Sequence, residues 1–131
     1  MLTYSRYSVT ENQMETNDYV ERLYLEAVKV MRNAIVPYSG FRVGAALLTS
    51  EHKIYTGCNM ENPSLMLSEC AEKVAILKAV SDGVKDIRAI MIISDMDGYC
   101  YPCGSCRQII YEFATDAEIF VGGNKGIKKH S

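Results

Sequence analysis

The sequence predicts an α/β fold, a sandwich built on a mostly covered mixed sheet. Three features predict it. The chain has 131 residues, the size of one domain. Helical and strand patterns alternate along it in the order α-β-β-α-β-α-β. One strand candidate, DIRAIMIIS at Asp86–Ser94, is apolar almost throughout and rich in β-branched residues, which suits a strand covered on both faces.

Each element has its own local reason. Residues 1–15 are polar and aperiodic and read as a flexible N-terminal arm, leaving 16–131 as a single domain. From about Asn17 to Asn33, Val20, Leu23, Ala27, Val28 and Met31 recur at helical spacing. Thr16, Asn17 and Asp18 offer a cap and a negative first turn. Pro37 forces the chain out of the helix before it. After the turn PYSGF come VGAALLT, a reversal at Ser50–Lys53, and IYTGCN at Ile54–Asn59, two strands of a hairpin. Residues 60–68 read as a loop broken by Pro63. The run ECAEKVAILKAVSDG is a strong helix, with Ser68 as its cap and Gly83 as its left-handed stop. A polar loop with Asp95, Asp97 and Gly98 leads to PCGSC and a third helix at about Ser105–Ala114. Glu118–Val121 is a short strand, and the tail GGNKGIKKHS reads as flexible and basic.

Composition excludes several classes of function. Apolar residues make up 48% and charged residues 23%, so the chain is neither disordered nor fibrous. No apolar run approaches the roughly 18 residues of a membrane span. A net charge of −2 offers no footprint for a nucleic-acid polymer or an anionic membrane. The N-terminal stretch lacks the apolar core of a secretory signal, which places the protein in the reducing cytoplasm. His52 and His130 read as exposed bystanders.

The five cysteines are therefore the informative residues: Cys58, Cys70, Cys100, Cys103 and Cys106. In a reducing compartment, clustered cysteines serve as metal ligands or reactive groups more often than as disulfides. Cys70 opens the second helix, and Cys103 and Cys106 open the third. Helix N-termini favour thiolates, and two cysteines one turn apart can bind one ion. A third thiolate from the other helix completes a trigonal base. Three protein ligands leave the fourth position of a tetrahedral Zn²⁺ open to water, the arrangement of a catalytic site. Glu72, two residues after a ligand, can reach that water without binding the metal, and a carboxylate there can move its proton.

Cys-Ala-Glu together with Pro-Cys-x-x-Cys is the zinc deaminase signature in its three-cysteine form. With YSGFRVGAALLT, TGCNMEN, CAEKVAILKAVSDG, IRAIMIISDM and PCGSCRQIIYEF, the stretch from about Tyr38 to Phe113 resembles the cytidine deaminases of the small homotetrameric kind. That resemblance implies a three-layer α/β/α sandwich with a mixed sheet of about five strands. It implies Zn²⁺ on Cys70, Cys103 and Cys106, and Glu72 as the proton shuttle for a zinc-activated water attacking C4. Phe41 would stack near the base, Asn59 and Glu61 would bond the ribose 3′-hydroxyl, and the Ala71 N–H would hold the pyrimidine carbonyl. The implied reaction converts cytidine and 2′-deoxycytidine to uridine, 2′-deoxyuridine and ammonia, a step of pyrimidine salvage on a free nucleoside.

Three departures from the family pattern bear on the site, one being an end 25 residues after Cys106, without the Leu-Leu-Pro-Phe type segment that the resemblance would lead one to expect over the active site. Lys73 stands where an Arg commonly bonds the zinc thiolates, which implies an altered zinc environment. Pro63-Ser64-Leu65 replace the usual Ala-Ser-Tyr, whose Tyr reaches a neighbouring subunit's substrate, and this weakens the substrate assignment. Other readings of the cysteines stay open. Cys100 can join the other three in a closed structural, non-catalytic site. Cys103-Gly104-Ser105-Cys106 can be a redox pair. Within enzymes, deaminases of other cytosine compounds, such as blasticidin S, share the cysteine motifs but lack the Asn-x-Glu found here.

Overall fold

The computed structural model describes residues 14–64, 67–95, 104–123 and 126–130. Helix α1 (Met14–Met31) is followed by strands β1 (Val43–Thr49) and β2 (Ile54–Cys58), helix α2 (Ala71–Ser81), strand β3 (Ile87–Ser94), helix α3 (Gly104–Phe113), and strands β4 (Glu118–Gly123) and β5 (Gly126–His130). The sheet order is β2-β1-β3-β4-β5. Only β3 and β4 run parallel, with α3 between them in sequence; the other pairs are antiparallel. Among the described residues the sheet is thus mixed and five-stranded, as the resemblance implies, with one strand more than the pattern along the chain predicts.

The alternation of strand side chains assigns each helix to a face. Ala46, Leu48, Ala89, Met91, Ile93 and Phe120 pack with Val20, Leu23 and Ala27 of α1. Ala45, Leu47, Ile90, Ile92 and Val121 point the other way, to Ala71, Ala75, Ile76 and Ala79 of α2 and Ile110 and Ala114 of α3. Seven of the eight β3 residues are buried and only Arg88 is exposed, as its apolar run requires. This is a three-layer α/β/α sandwich.

Four local expectations are revised. Helix α1 begins at Met14, so Thr16, Asn17 and Asp18 lie within its first turns instead of capping it. The rest of the proposed N-terminal arm, residues 1–13, lies outside the described residues. The helix ends at Met31, not Asn33, in three-residue turns from Asn33 to Val30 and from Ala34 to Met31. Ser68 does not cap α2: its Oγ accepts the Asn62 N–H at 3.0 Å and ties the preceding loop together, while Cys70 occupies the cap position with no side-chain cap bond. The tail is not flexible but forms β5, from Gly126, which has a φ of +113°, onward. Ile127 anchors it in the α1 core, and Lys129 pairs with Glu118 at 2.8 Å. A five-residue strand with one apolar side chain carries no period to read, and lysines are the residues that protect an exposed sheet edge. The end of α2 follows the sequence: Gly83 has a φ of +91°, with Gly83 N–H to Val80 O and Val84 N–H to Ala79 O in a Schellman arrangement.

Two glycines set how closely the layers approach. A Cβ on Gly44 would stand 2.1 Å from Ala27 O of α1. A Cβ on Gly57 would stand 2.4 Å from Ala71 O and 2.6 Å from Ala75 N, in the first turns of α2. No side chain fits there, so backbone lies on backbone at the point where α2 begins. Gly57→Ala is expected to lower the Tm by roughly 10 °C, equivalent to about 3 kcal/mol of overpacking. Gly83→Ala meets no atom within 4 Å and carries only the left-handed backbone cost of about 1 kcal/mol. Thermal melts followed by circular dichroism rank the two, and a Gly57→Ala melt no lower than that of Gly83→Ala would mean that the helix can back away.

Candidate active site

Those of the nominated residues that are described lie at one end of the sheet. There β1 begins, β2 and β3 end, and α2 and α3 start. Cys70 stands at the cap position of α2 with an extended backbone (φ −83°, ψ 150°) and no side-chain cap bond. This places Cys70 at the positive end of the α2 dipole. Cys106 lies in the first turn of α3 and is fully buried. Glu72, in the first turn of α2, is 5% exposed. The Cys70 Sγ, a Glu72 carboxylate oxygen and the Cys106 Sγ all lie within 4.8 Å of one another. Cys103 and Cys100 fall outside the described residues. Cys58 is half-buried at the end of β2, outside this cluster, and burial pushes its thiol pKa up.

The electrostatics of the cluster follow from its burial. Desolvation raises the Glu72 pKa above the ordinary carboxylate range, opposed by hydrogen bonds to Cys106, to its own backbone and to Cys70. Two sulfurs and a carboxylate, brought together from two helix N-termini and largely withdrawn from water, match the donor chemistry of Zn²⁺. Lys73, one residue on, places its Nζ 3.0 Å from Glu69 Oε2. Its pKa is raised first by Glu69 and further by the charges of Cys106 and Cys70. The lysine thus keeps a cation beside the thiols while sharing it with an acid one turn back.

The residues assigned to the nucleoside surround a short segment ahead of β1. Glu61 Oε1 accepts the N–H groups of Tyr38 and Ser39 at 3.0 and 3.1 Å. The Ser39 side chain first, and these backbone groups after it, lower the Glu61 pKa by hydrogen bonding. Asn59 Oδ1 accepts the Val43 N–H at 2.9 Å and its Nδ2 donates to Phe41 O at 2.8 Å. Both side chains therefore hold main chain. The Phe41 ring is 51% exposed, and the Ala71 side chain is buried at the helix start. Residues 59–61 are themselves fixed, between Ile35 on one side and Glu69 on the other, by Ile35 N–H to Asn59 O, Glu61 N–H to Ile35 O and a reciprocal Met60–Glu69 pair. The sequence singled out neither Ser39 nor Asp95. Asp95 Oδ1 accepts the Arg42 N–H at 3.0 Å, across 53 positions of chain that no spacing rule spans.

Comparison with known proteins agrees with this geometry. The family profile of the cytidine and deoxycytidylate deaminase zinc-binding region matches residues 17–122. A cytidine deaminase of Sporosarcina psychrophila is 50% identical over 96 residues, covering 73% of this chain and 71% of the relative. A cytidine deaminase of Halalkalibacterium halodurans is 40% identical over 107 residues, covering 81% of each. The crystal structure of a cytidine deaminase from Burkholderia pseudomallei superposes with a TM-score of 0.81 at 34% identity, over 85% of this chain and 91% of that one.

If the thiols hold the metal, Cys70→Ala and Cys106→Ala purify with less than about a tenth of the zinc per chain of the parent, and Cys58→Ala with an unchanged content. Elemental analysis of the purified proteins reads this directly. Equal zinc in the Cys106→Ala variant would remove that thiol from the site.

Proposed function

We propose that this chain, which belongs to the cytidine and deoxycytidylate deaminase family, hydrolyses the 4-amino group of cytidine and 2′-deoxycytidine to give uridine, 2′-deoxyuridine and ammonia. The observation that carries the reading is the Glu72 carboxylate, buried against two thiols at paired helix N-termini. Cys70 and Cys106, with Cys103 as the third, are the ligands for Zn²⁺. The metal supplies a Lewis acid that makes a water nucleophilic near neutral pH.

The chain's own residues do the rest. Glu72 takes a proton from the attacking water and delivers it to N3 of the cytosine ring as oxygen adds at C4. It then carries a second proton to the amino group, the C4–N bond breaks, and ammonia leaves. A carboxylate whose pKa burial has raised is suited to giving back a proton it has accepted. The Ala71 N–H, at the start of α2, donates to the pyrimidine carbonyl. Phe41 stacks on the base. Glu61 and the second N–H of Asn59 Nδ2 meet the ribose hydroxyl.

Other properties belong to the same reading. Residues 16–131 act as one domain, since strands from both halves share one sheet. A homotetramer is supported by the family resemblance and by Leu77, Tyr111 and Phe113, apolar residues exposed on the α2 and α3 layer. A cytoplasmic place in pyrimidine salvage is supported by a thiol site that needs reduced cysteines. Among the described residues, no helix is long and apolar enough to cross a membrane.

Incubation of the zinc-loaded protein with cytidine, deoxycytidine, cytosine and blasticidin S, following cytosine absorbance and ammonia, tests the reading. Turnover of the two nucleosides is expected; none with any substrate would sink it, and turnover of blasticidin S alone would reassign the substrate. Glu72→Gln is expected to keep zinc and Tm while losing about 10²–10⁴-fold in kcat. Near-parent turnover would remove Glu72 as the proton carrier.

A further inference from the structure

The segment from Tyr38 to Arg42 belongs to no helix or strand, yet its main chain is held at every second residue or closer. Glu61 binds Tyr38 and Ser39. Ser39 Oγ accepts the Phe41 N–H at 3.1 Å, and Asn59 Nδ2 donates to Phe41 O. Arg42 is held from the opposite side: its N–H donates to Asp95 Oδ1 at 3.0 Å, and the Asp95 N–H donates to Arg42 O at 3.2 Å. The sheet explains the arrangement. Strand β1 lies between β2 and β3, Asn59 directly follows β2, and Asp95 directly follows β3. The residue pair that leads from Phe41 into β1 is thus gripped from both neighbouring strands. Gly40, whose N–H donates to Val36 O at 3.1 Å, has a φ of +73° and no atom within 4 Å of where a Cβ would be.

We propose that Asp95 is a positioning residue of the active site, which acts through Arg42 to hold Phe41 where it can receive the base. The proposal rests on the deaminase reading and extends it to a side chain outside the zinc and proton-transfer machinery. Removing the carboxylate leaves the backbone half of the Arg42 pair and frees the segment to populate unproductive positions. Substrate affinity then falls by the fraction of molecules that remain competent, and the chemical step, made at Glu72, does not change. A charge-assisted bond at an exposed site supports a loss of up to about tenfold, or ~1.4 kcal/mol.

Asp95→Ala and Asp95→Asn test this in the zinc-loaded protein. The alanine variant is expected to raise KM for cytidine about five- to tenfold, with kcat within about twofold and with zinc content and Tm unchanged. Asparagine keeps an acceptor at Oδ1 and should restore most of the loss. Trypsin should cut the alanine variant faster than the parent at Arg42–Val43, a readout independent of turnover. An unchanged KM in Asp95→Ala, an asparagine variant as impaired as the alanine one, or a joint fall of kcat and zinc would each overturn the proposal. If the parent turns over no nucleoside, the deaminase reading fails, and equal tryptic rates would then dismiss the clamp on their own.

Discussion

Backbone contact between β2 and α2 at Gly57 is the constraint on which the rest of the site depends. Ala71 O and Ala75 N sit where a Cβ of residue 57 would have to be. Backbone of α2 therefore lies directly on backbone of β2, with no side chain between them. At that contact α2 begins, with Cys70 at the cap position and Glu72 in the first turn. Gly44 makes the matching contact with α1 on the other face. The sheet end is thereby clamped between two helices, and the site inherits that rigidity.

A buried carboxylate beside two thiols is an unfavourable arrangement for a protein core, and its stability needs an explanation. Part of it is the direction of two helices. α2 and α3 both present N-termini to the cluster, and the cap position of α2 is given to a thiol when Ser68 stood two residues away to fill it. Leaving the helix uncapped forgoes about 1 kcal/mol of local stability and keeps its dipole aimed at the sulfurs. The remainder is cationic: Lys73 keeps its charge nearby, and a divalent ion on the thiols would supply most of the compensation.

Lys73, one residue after Glu72, meets the cluster with an ammonium. An ammonium cannot fork between two sulfurs as a guanidinium can. Here it pairs with Glu69 at helical spacing, so the cation sits at the rim of the cluster and is held by an acid of the preceding loop. Glu69 is itself pinned to Met60 through the main chain. The thiols, the Lys73–Glu69 pair and the segment that binds Phe41 therefore form one connected shell around the end of the sheet.

Much of this was legible in the sequence because it is local. Helical spacing from Val20 to Ala27, the unbroken apolar run of β3, and Gly83 as a left-handed stop each depend on residues within a turn or two of one another. Cys70, Glu72 and Cys106 were nominated from their places at two helix starts together with the resemblance to the cytidine deaminases, and the fold brings these three side chains together. What local pattern could not carry was decided by tertiary contact. The tail became β5 because β4 offered an open edge, and Ser68 gave up the cap for a loop six residues back. Asn59 and Glu61 read as ligands for a sugar, and the fold shows them also holding main chain from another segment. Asp95 met Arg42 only once two strands had paired. The sequence by itself determined the elements other than β5, and it nominated the thiols and the acid. The tertiary structure alone decided which distant backbone groups those side chains satisfy, because a buried or irregular N–H must find a partner in space, wherever in the chain it lies.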